Sequence, residues 1–309
     1  MKGYIGVTDN DWYKFLASLP DVDEVNFWQP GGGSHFKVLK TGEPFFFKLH
    51  SPLNYIAGGG FFAHSSIIPV SLAWEAFQEK NGAPSYLQMR RLIEKRRRVF
   101  SQFEDYKIGC IILTEPFFLK RDDWIPIPPD FSLNIVQGKS YDLSAGYGLN
   151  IWNKVQEILK KGETIKATPN TIGDPEIRYG EPTVVLPRLG QGSFRIMVAD
   201  AYERRCAITN EKTLPALEAA HIKPFSASGP HRVGNGILLR SDIHKLFDSG
   251  YVTITPKHNF EVSRRIRDEY ENGRDYYALN GKKIYVPPSP TFRPEPVYLA
   301  WHNENVFRG

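Results

Sequence analysis

Cysteine is nearly absent from this chain of 309 residues, where only Cys110 and Cys206 occur. Two thiols so far apart, in segments that read as different domains, exclude a disulfide framework and fit small buried apolar side chains. Their number also excludes the paired CxxC clamps of a structural zinc site. Long apolar runs are missing too. Stretches such as 67–73 and 108–113 are far shorter than the ~20 residues that span a bilayer, and Asp9 and Asp11 interrupt the amino terminus before a signal-peptide core can form. The expectation is a cytoplasmic protein with no membrane partner. Charge of one sign is weak: 39 basic against 34 acidic residues leave a net +5. Such a balance permits a polyanionic partner without demanding one. Internal repeats and low-complexity tracts are also lacking.

With 41% hydrophobic residues the chain can bury a sizeable core, and its length favours two domains over one. Residues 1–145 are rich in aromatics and read as short strands at 45–49, 55–62 and 108–113, separated by Gly and Pro. Interspersed helices are expected from Asp9 to about Ser18, from a Ser71 cap to Gln78, and over 86–99. Residues 146–192 carry a helix (149–161) and then a polar, Gly- and Pro-punctuated linker. Residues 193–309 begin with a helix (194–202), and the tail offers strands at 251–254 and 283–286 before a proline-rich end.

The chemistry is concentrated between 217 and 250. There the chain reads Leu-Glu218-Ala-Ala-His221-Ile-Lys223-Pro, then Asn235-Gly-Ile-Leu-Leu-Arg240-Ser-Asp-Ile-His244, and ends on Lys-Leu-Phe-Asp248-Ser-Gly. Residues 217–222 suit a strand, 223–233 a loop, and Ser241 can cap a helix that carries His244 and Asp248 four residues apart, on one face. His, Asn and His in that order resemble the HNH nuclease family. The resemblance implies a ββα-metal fold, an α+β class for the chain, and hydrolysis of phosphodiester bonds in double-stranded DNA. It makes His221 the general base, Asn235 the residue that fixes the hairpin, and His244 a ligand of one divalent ion, with Asp248 second. Many members carry an Asp or His immediately before the first histidine, where this chain has Ala220. Glu218 is the candidate replacement or else a solvated strand carboxylate. Mg²⁺ or Mn²⁺ suits such donors best, with Zn²⁺ or Ni²⁺ as alternatives. Lys223 and Arg240 are candidate phosphate contacts, and His231, in the loop, receives no role.

An HNH module has little sequence preference of its own, so the first domain is the candidate selector. Its strand pattern and the stretch Tyr55-Ile-Ala-Gly58-Gly-Gly60-Phe-Phe62 resemble the PUA-like superfamily of EVE, ASCH and YTH domains, which implies a β-barrel with flanking helices. Fusions of this kind resemble modification-dependent restriction endonucleases of bacterial defence, in which a flipped, modified cytosine is captured by the first domain. Trp28, Tyr55, Phe61, Phe62 and Trp124 are candidate walls for such a base, and Asn54, Asn26 and Gln29 candidate readers of its edge; each also fits a core or turn role. Arg90, Arg91, Lys95 and Arg98 fall on one side of the basic helix, with Leu92 and Val99 toward the core, and either contact phosphate or are solvated. A homodimer is open. So are two other readings: a nuclease of unmodified or structured DNA, and a nucleic-acid-binding protein whose HNH part no longer cuts.

Overall fold

β1 (Lys2–Thr8) ends at Asp9, whose carboxylate accepts the backbone N–H groups of Asp11 (2.8 Å) and Trp12 (3.0 Å) and so opens α1 (Asn10–Ser18). Trp12, Tyr13 and Leu16 turn the apolar face of α1 inward. This is the start of a computed structural model that describes residues 1–97, 104–163 and 189–309. It divides into two units, Met1–Pro187 and Arg188–Gly309.

The first unit continues with β2 (Glu24–Gln29), β3 (Pro44–Leu49), β4 (Tyr55–Pro69), α2 (Val70–Phe77), α3 (Tyr86–Arg97), β5 (Lys107–Phe118), β6 (Ile125–Pro126), β7 (Gly138–Asp142) and α4 (Gly146–Glu163). Its sheet runs β2-β5-β4-β3-β1-β7, with β6 on β4. The β1–β3 pair is parallel and the other pairs are antiparallel. Phe45, Phe46 and Phe47 are all buried because β3 is covered on both faces. Phe45 and Phe47 meet Phe27 on one side, and Phe46 meets Ile5, Ile56 and the α4 residues Ile151 and Val155 on the other. Thus α4 packs on the sheet of the first unit. The linker expected over 161–187 lies almost entirely outside the described residues.

Gly58–Gly60 lies in the middle of β4, within the strand expected at 55–62, and pairs with Phe47, Phe46 and Phe45. A Cβ at Gly58 would stand 2.3 Å from the Phe117 carbonyl oxygen, and one at Gly59 would stand 2.6 Å from that of Phe45. Glycine is needed because neighbouring backbone approaches from both sides. Among the described residues the sheet path ends at β2 and β7. No pairing among the described residues closes this path into the expected barrel.

The basic helix also turns differently. Met89 and Ile93 face the core, with Leu92 half-buried beside them; Arg98 and Val99 lie outside the described residues. Ser71 donates to Asp105 and makes no cap hydrogen bond in α2.

The second unit consists of α5 (Gln191–Ala201), β8 (Leu217–His221), β9 (Gly236–Arg240), α6 (Ser241–Asp248), β10 (Val252–Ile254), β11 (Phe260–Val262), α7 (Arg265–Tyr270), α8 (Arg274–Tyr277) and α9 (Pro296–Asn305). β8 and β9 form an antiparallel hairpin with Leu217 opposite Arg240 and His221 opposite Gly236. β9 passes into α6 without an intervening residue. Ile243 and Phe247 bury the inner face of α6 in a core that includes Phe194, Val198, Ile237 and Leu239. That burial leaves His244 and Asp248 together on an outer flank. Ser241, expected as the cap, is the first helical residue, and its hydroxyl donates to the Ala216 carbonyl (3.1 Å). The strand expected at 283–286 is a single bridge from Lys283 to Asn259, and β11 is the partner of β10. Both units together are α+β.

Candidate active site and nucleic-acid cleft

Burial of Ile243 and Phe247 aims His244 at the β8 strand, where Glu218 Oε2 lies 2.6 Å from His244 Nδ1. On the other edge of the ring, Asp248 Oδ2 stands 3.3 Å from Nε2. Burial pushes the Glu218 carboxyl up, but the hydrogen bond and charge of His244 outweigh it and hold the group below its ordinary range. For Asp248, burial and then Glu218 push the carboxyl up against the opposing pull of His244. Its side chain is nonetheless 58% exposed, so water reaches it. Ala220 is fully buried.

His221, at the end of β8, is held flat against Phe194 of α5, with ring centroids 3.8 Å apart and planes within 9°. Its Nε2 lies 2.9 Å from Nδ1 of His231. Burial, then the neighbouring His231 and His244, lower its pKa to about 4, so the ring is neutral near pH 7 and able to accept a proton. Asn235 is completely buried. Its Oδ1 accepts the Lys223 N–H (2.9 Å), and its Nδ2 donates to the carbonyls of Lys223 (2.9 Å) and Pro230 (3.0 Å). One side chain thereby closes the loop between the two strands.

The sequence places cations here that the fold uses differently. Arg240 grips Asp242 through two hydrogen bonds of 2.7 and 2.6 Å, so its guanidinium is already satisfied by a carboxylate. Lys223 extends over the Trp301 ring, 5.5 Å from its centroid. Among the described residues no group of three or more His, Cys, Asp or Glu side chains could hold a metal ion unaided. Glu218 and Asp248 meet opposite nitrogens of the His244 ring, so the three do not converge on one ion; Nε2 with Asp248 is the pair whose chemistry suits one hard divalent cation.

The first unit contains a cleft of about 890 Å³. Trp28, Asn54, Gln29 and Lys95 line it, and Tyr55, Phe61, Phe62 and Trp124 do not. Trp28 is buried and donates its indole N–H to the Asn81 carbonyl (2.9 Å). Tyr55 and Trp124 stand together elsewhere, centroids 6.1 Å apart. Phe62 packs on Phe36 in the core (5.6 Å), and Phe61 is half-buried. Asn26 is buried and bound to Asn81 (2.9 Å).

On α3, Arg90 pairs with Glu94 at 2.8 Å and is largely covered. Arg91 and Lys95 are exposed. The cleft further contains Arg96, from the basic run, and Trp12, Lys48 and His50, which the sequence did not single out as site residues. Arg96 pairs there with Asp9. Lys48 alone left a trace, as a charge inside a run of buried aromatics. No helix among the described residues is long and apolar enough to cross a membrane.

A comparison with curated proteins gave no match. Among solved structures the chain is similar to a modification-dependent restriction endonuclease, TagI, with 12% identity, 98% of this chain and 81% of that chain covered, and a TM-score of 0.31. It is also similar to ScoMcrA, a type IV phosphorothioation-dependent restriction endonuclease, with 11% identity, 79% and 52% covered, and a TM-score of 0.19. The family model described as HNH endonuclease matches residues 206–255, the span that contains Glu218, His221, Asn235, His244 and Asp248. Residues 206–255 of this chain are an HNH endonuclease domain.

Proposed function

We propose that this chain is a metal-dependent DNA endonuclease in which the first unit captures an extruded, modified cytosine and the second hydrolyses a phosphodiester bond nearby. The observation that carries the reading is the hairpin-and-helix site, where a neutral His221 stands on the strand that brings Glu218 to His244. His221 takes the proton of the attacking water. Phe194 fixes its ring plane and Asn235 fixes the loop that follows it. His244 through Nε2, with Asp248, would hold one Mg²⁺ or Mn²⁺, with Glu218 orienting the ring from Nδ1; when bound, the ion supplies positive charge to the phosphate and the leaving oxygen.

The selector half of the proposal is supported by the cleft. It joins aromatic side chains, Trp12, Phe27 and Trp28, to polar groups and to cations of α3, the combination that base capture needs. The PUA-like kinship of the first unit belongs to the same proposal. One such site cuts one strand, so a double-strand break would need two chains acting together.

Cleavage of matched duplexes carrying cytosine, 5-methylcytosine, 5-hydroxymethylcytosine or glucosylated cytosine, with Mg²⁺ or Mn²⁺ and His221→Ala as control, tests both halves. The expected result is cutting confined to a modified duplex and absent from the control. Equal cutting of all duplexes would remove the selector, and no cutting with either ion would remove the nuclease.

A further inference from the structure

Lys48 lies near the end of β3, at the irregularity where the pairing with β4 slips between Phe47 and Lys48. It lines the cleft, yet only 3% of the residue is exposed. Among the described residues no carboxylate pairs with it. Its Nζ donates to Asn54 Oδ1 (2.8 Å) and stands 5.7 Å from the centroid of the Phe131 ring. Burial lowers its pKa, and its charge helps to lower that of neighbouring His50. Asn54 is held at a φ of +50°, outside the conformations most side chains adopt. A buried ammonium without a counter-charge is costly, and such departures from local rules concentrate at binding sites.

An ammonium has three N–H donors and Asn54 takes one, leaving two for a ligand in the cleft. Asn54 Oδ1 retains a second lone pair. The two side chains therefore present a donor beside an acceptor at the cleft wall. Cytosine and adenine carry the complement on their pairing edge, a ring-nitrogen acceptor beside an exocyclic amine. Thymine and guanine offer the same complement through different atoms, a carbonyl acceptor beside a ring N–H. We propose that Lys48 and Asn54 hold the pairing edge of an extruded base through one acceptor and one donor of that edge; this rests on the reading of the first unit as selector. The base's modification then faces the remaining space of the cleft.

The test is equilibrium binding of the full chain, without metal, to duplexes with one modified cytosine, one N6-methyladenine or neither, comparing wild type with Lys48→Met and Lys48→Gln. Wild type is expected to prefer one modified duplex. Lys48→Met should lose at least tenfold of that preference while its affinity for unmodified duplex stays within twofold. Its thermal midpoint should not fall, because an apolar side chain replaces an unpaired buried charge. If Lys48→Met does not fold, the same loss is expected from Lys48→Gln. Retained preference in the variants would overturn the role of Lys48 and leave the selector reading standing. Equal weakening of all duplexes would make Lys48 a phosphate contact and overturn it as well. No preference in wild type would remove the selector reading and this inference together.

A second inference stands on the separate contact between His221 and His231. Nε2 of His221 faces Nδ1 of His231 at 2.9 Å, and Nδ1 of His221 has no hydrogen-bond partner among the described residues. We infer that His231 is a positioning residue for the base. It accepts the Nε2–H of His221 and so leaves the Nδ1 lone pair free. When Nδ1 takes the proton of water, the Nε2 proton passes to His231 Nδ1, and His231 releases its own Nε2 proton to solvent.

In the metal-free full chain, nitrogen NMR should find His221 as the Nε2–H tautomer in wild type and as a mixture in His231→Ala. The variant should cleave at least tenfold slower at unchanged KM, with partial rescue by added imidazole. His231→Gln, which can accept but not relay, should keep the tautomer and lose rate. A His231→Ala chain with the wild-type tautomer, or with a rate within twofold of wild type, would overturn the assignment.

Discussion

Asn235→Ala is the sharpest test of how the hairpin is held. The side chain is fully buried and makes three hydrogen bonds, one from the Lys223 N–H and two to the Lys223 and Pro230 carbonyls. Each such bond contributes ~1 kcal/mol net, and each polar group left unpaired costs ~1–3 kcal/mol where it is shielded from water. With three groups unpaired the loss is at least about 3 kcal/mol, a large share of the ~5–15 kcal/mol that keeps a domain folded. Asn235→Asp keeps the acceptor for Lys223 N–H but sets a carboxylate against two carbonyl oxygens, so it should be no milder than alanine. Urea unfolding of the full chain measures the loss, and amide hydrogen exchange over 221–235 localises it. A loss below ~1 kcal/mol for both variants, with unchanged exchange at Lys223, would refute the view that Asn235 closes the loop.

His221→Ala should reduce the cleavage rate by about 10²–10⁴, the range for loss of a general base, with duplex affinity unchanged in a binding assay. Glu218→Gln should weaken Mn²⁺ binding by about tenfold or more in calorimetry at unchanged fold, because it removes the carboxylate charge that orients the His244 ring from Nδ1 at 2.6 Å. His302 is buried between Phe247 and Thr253 and its pKa is lowered to about 4. The folded state thus favours the neutral ring, so stability is full above the unfolded value of about 6.5 and falls as pH drops toward 4, by up to ~3 kcal/mol. His302→Gln should reduce the pH dependence of the urea midpoint between those values by about half, because His221 is lowered to about 4 as well. Arg91→Gln with Lys95→Gln should reduce the slope of log affinity against log salt by about 2 if both exposed cations touch phosphate.

The second unit was largely legible in the sequence because its chemistry is local. His244 and Asp248 share a helix flank by spacing alone, and β8, β9 and α6 follow one another with little else between them. What the sequence did not reveal was which carboxylate reaches His244 and what faces His221. The Glu218 and His231 contacts span 26 and 10 residues, and neither follows from spacing. In the first unit most aromatics serve the core, so a list of aromatic residues could not separate Trp28 from Phe62. The cleft is instead marked by polar groups that break the apolar pattern. Arg90 and Arg240 show the converse: each cation is spent on a nearby carboxylate, Glu94 or Asp242.

The direct passage of β9 into α6 limits how this site can vary. With no residue between Arg240 and Ser241, one inserted residue would turn the helix by about 100° and carry His244 away from Glu218. Relatives with working sites should therefore keep this junction at constant length. Insertions and deletions should collect in 225–229, inside the loop that Asn235 ties off at Lys223 and Pro230.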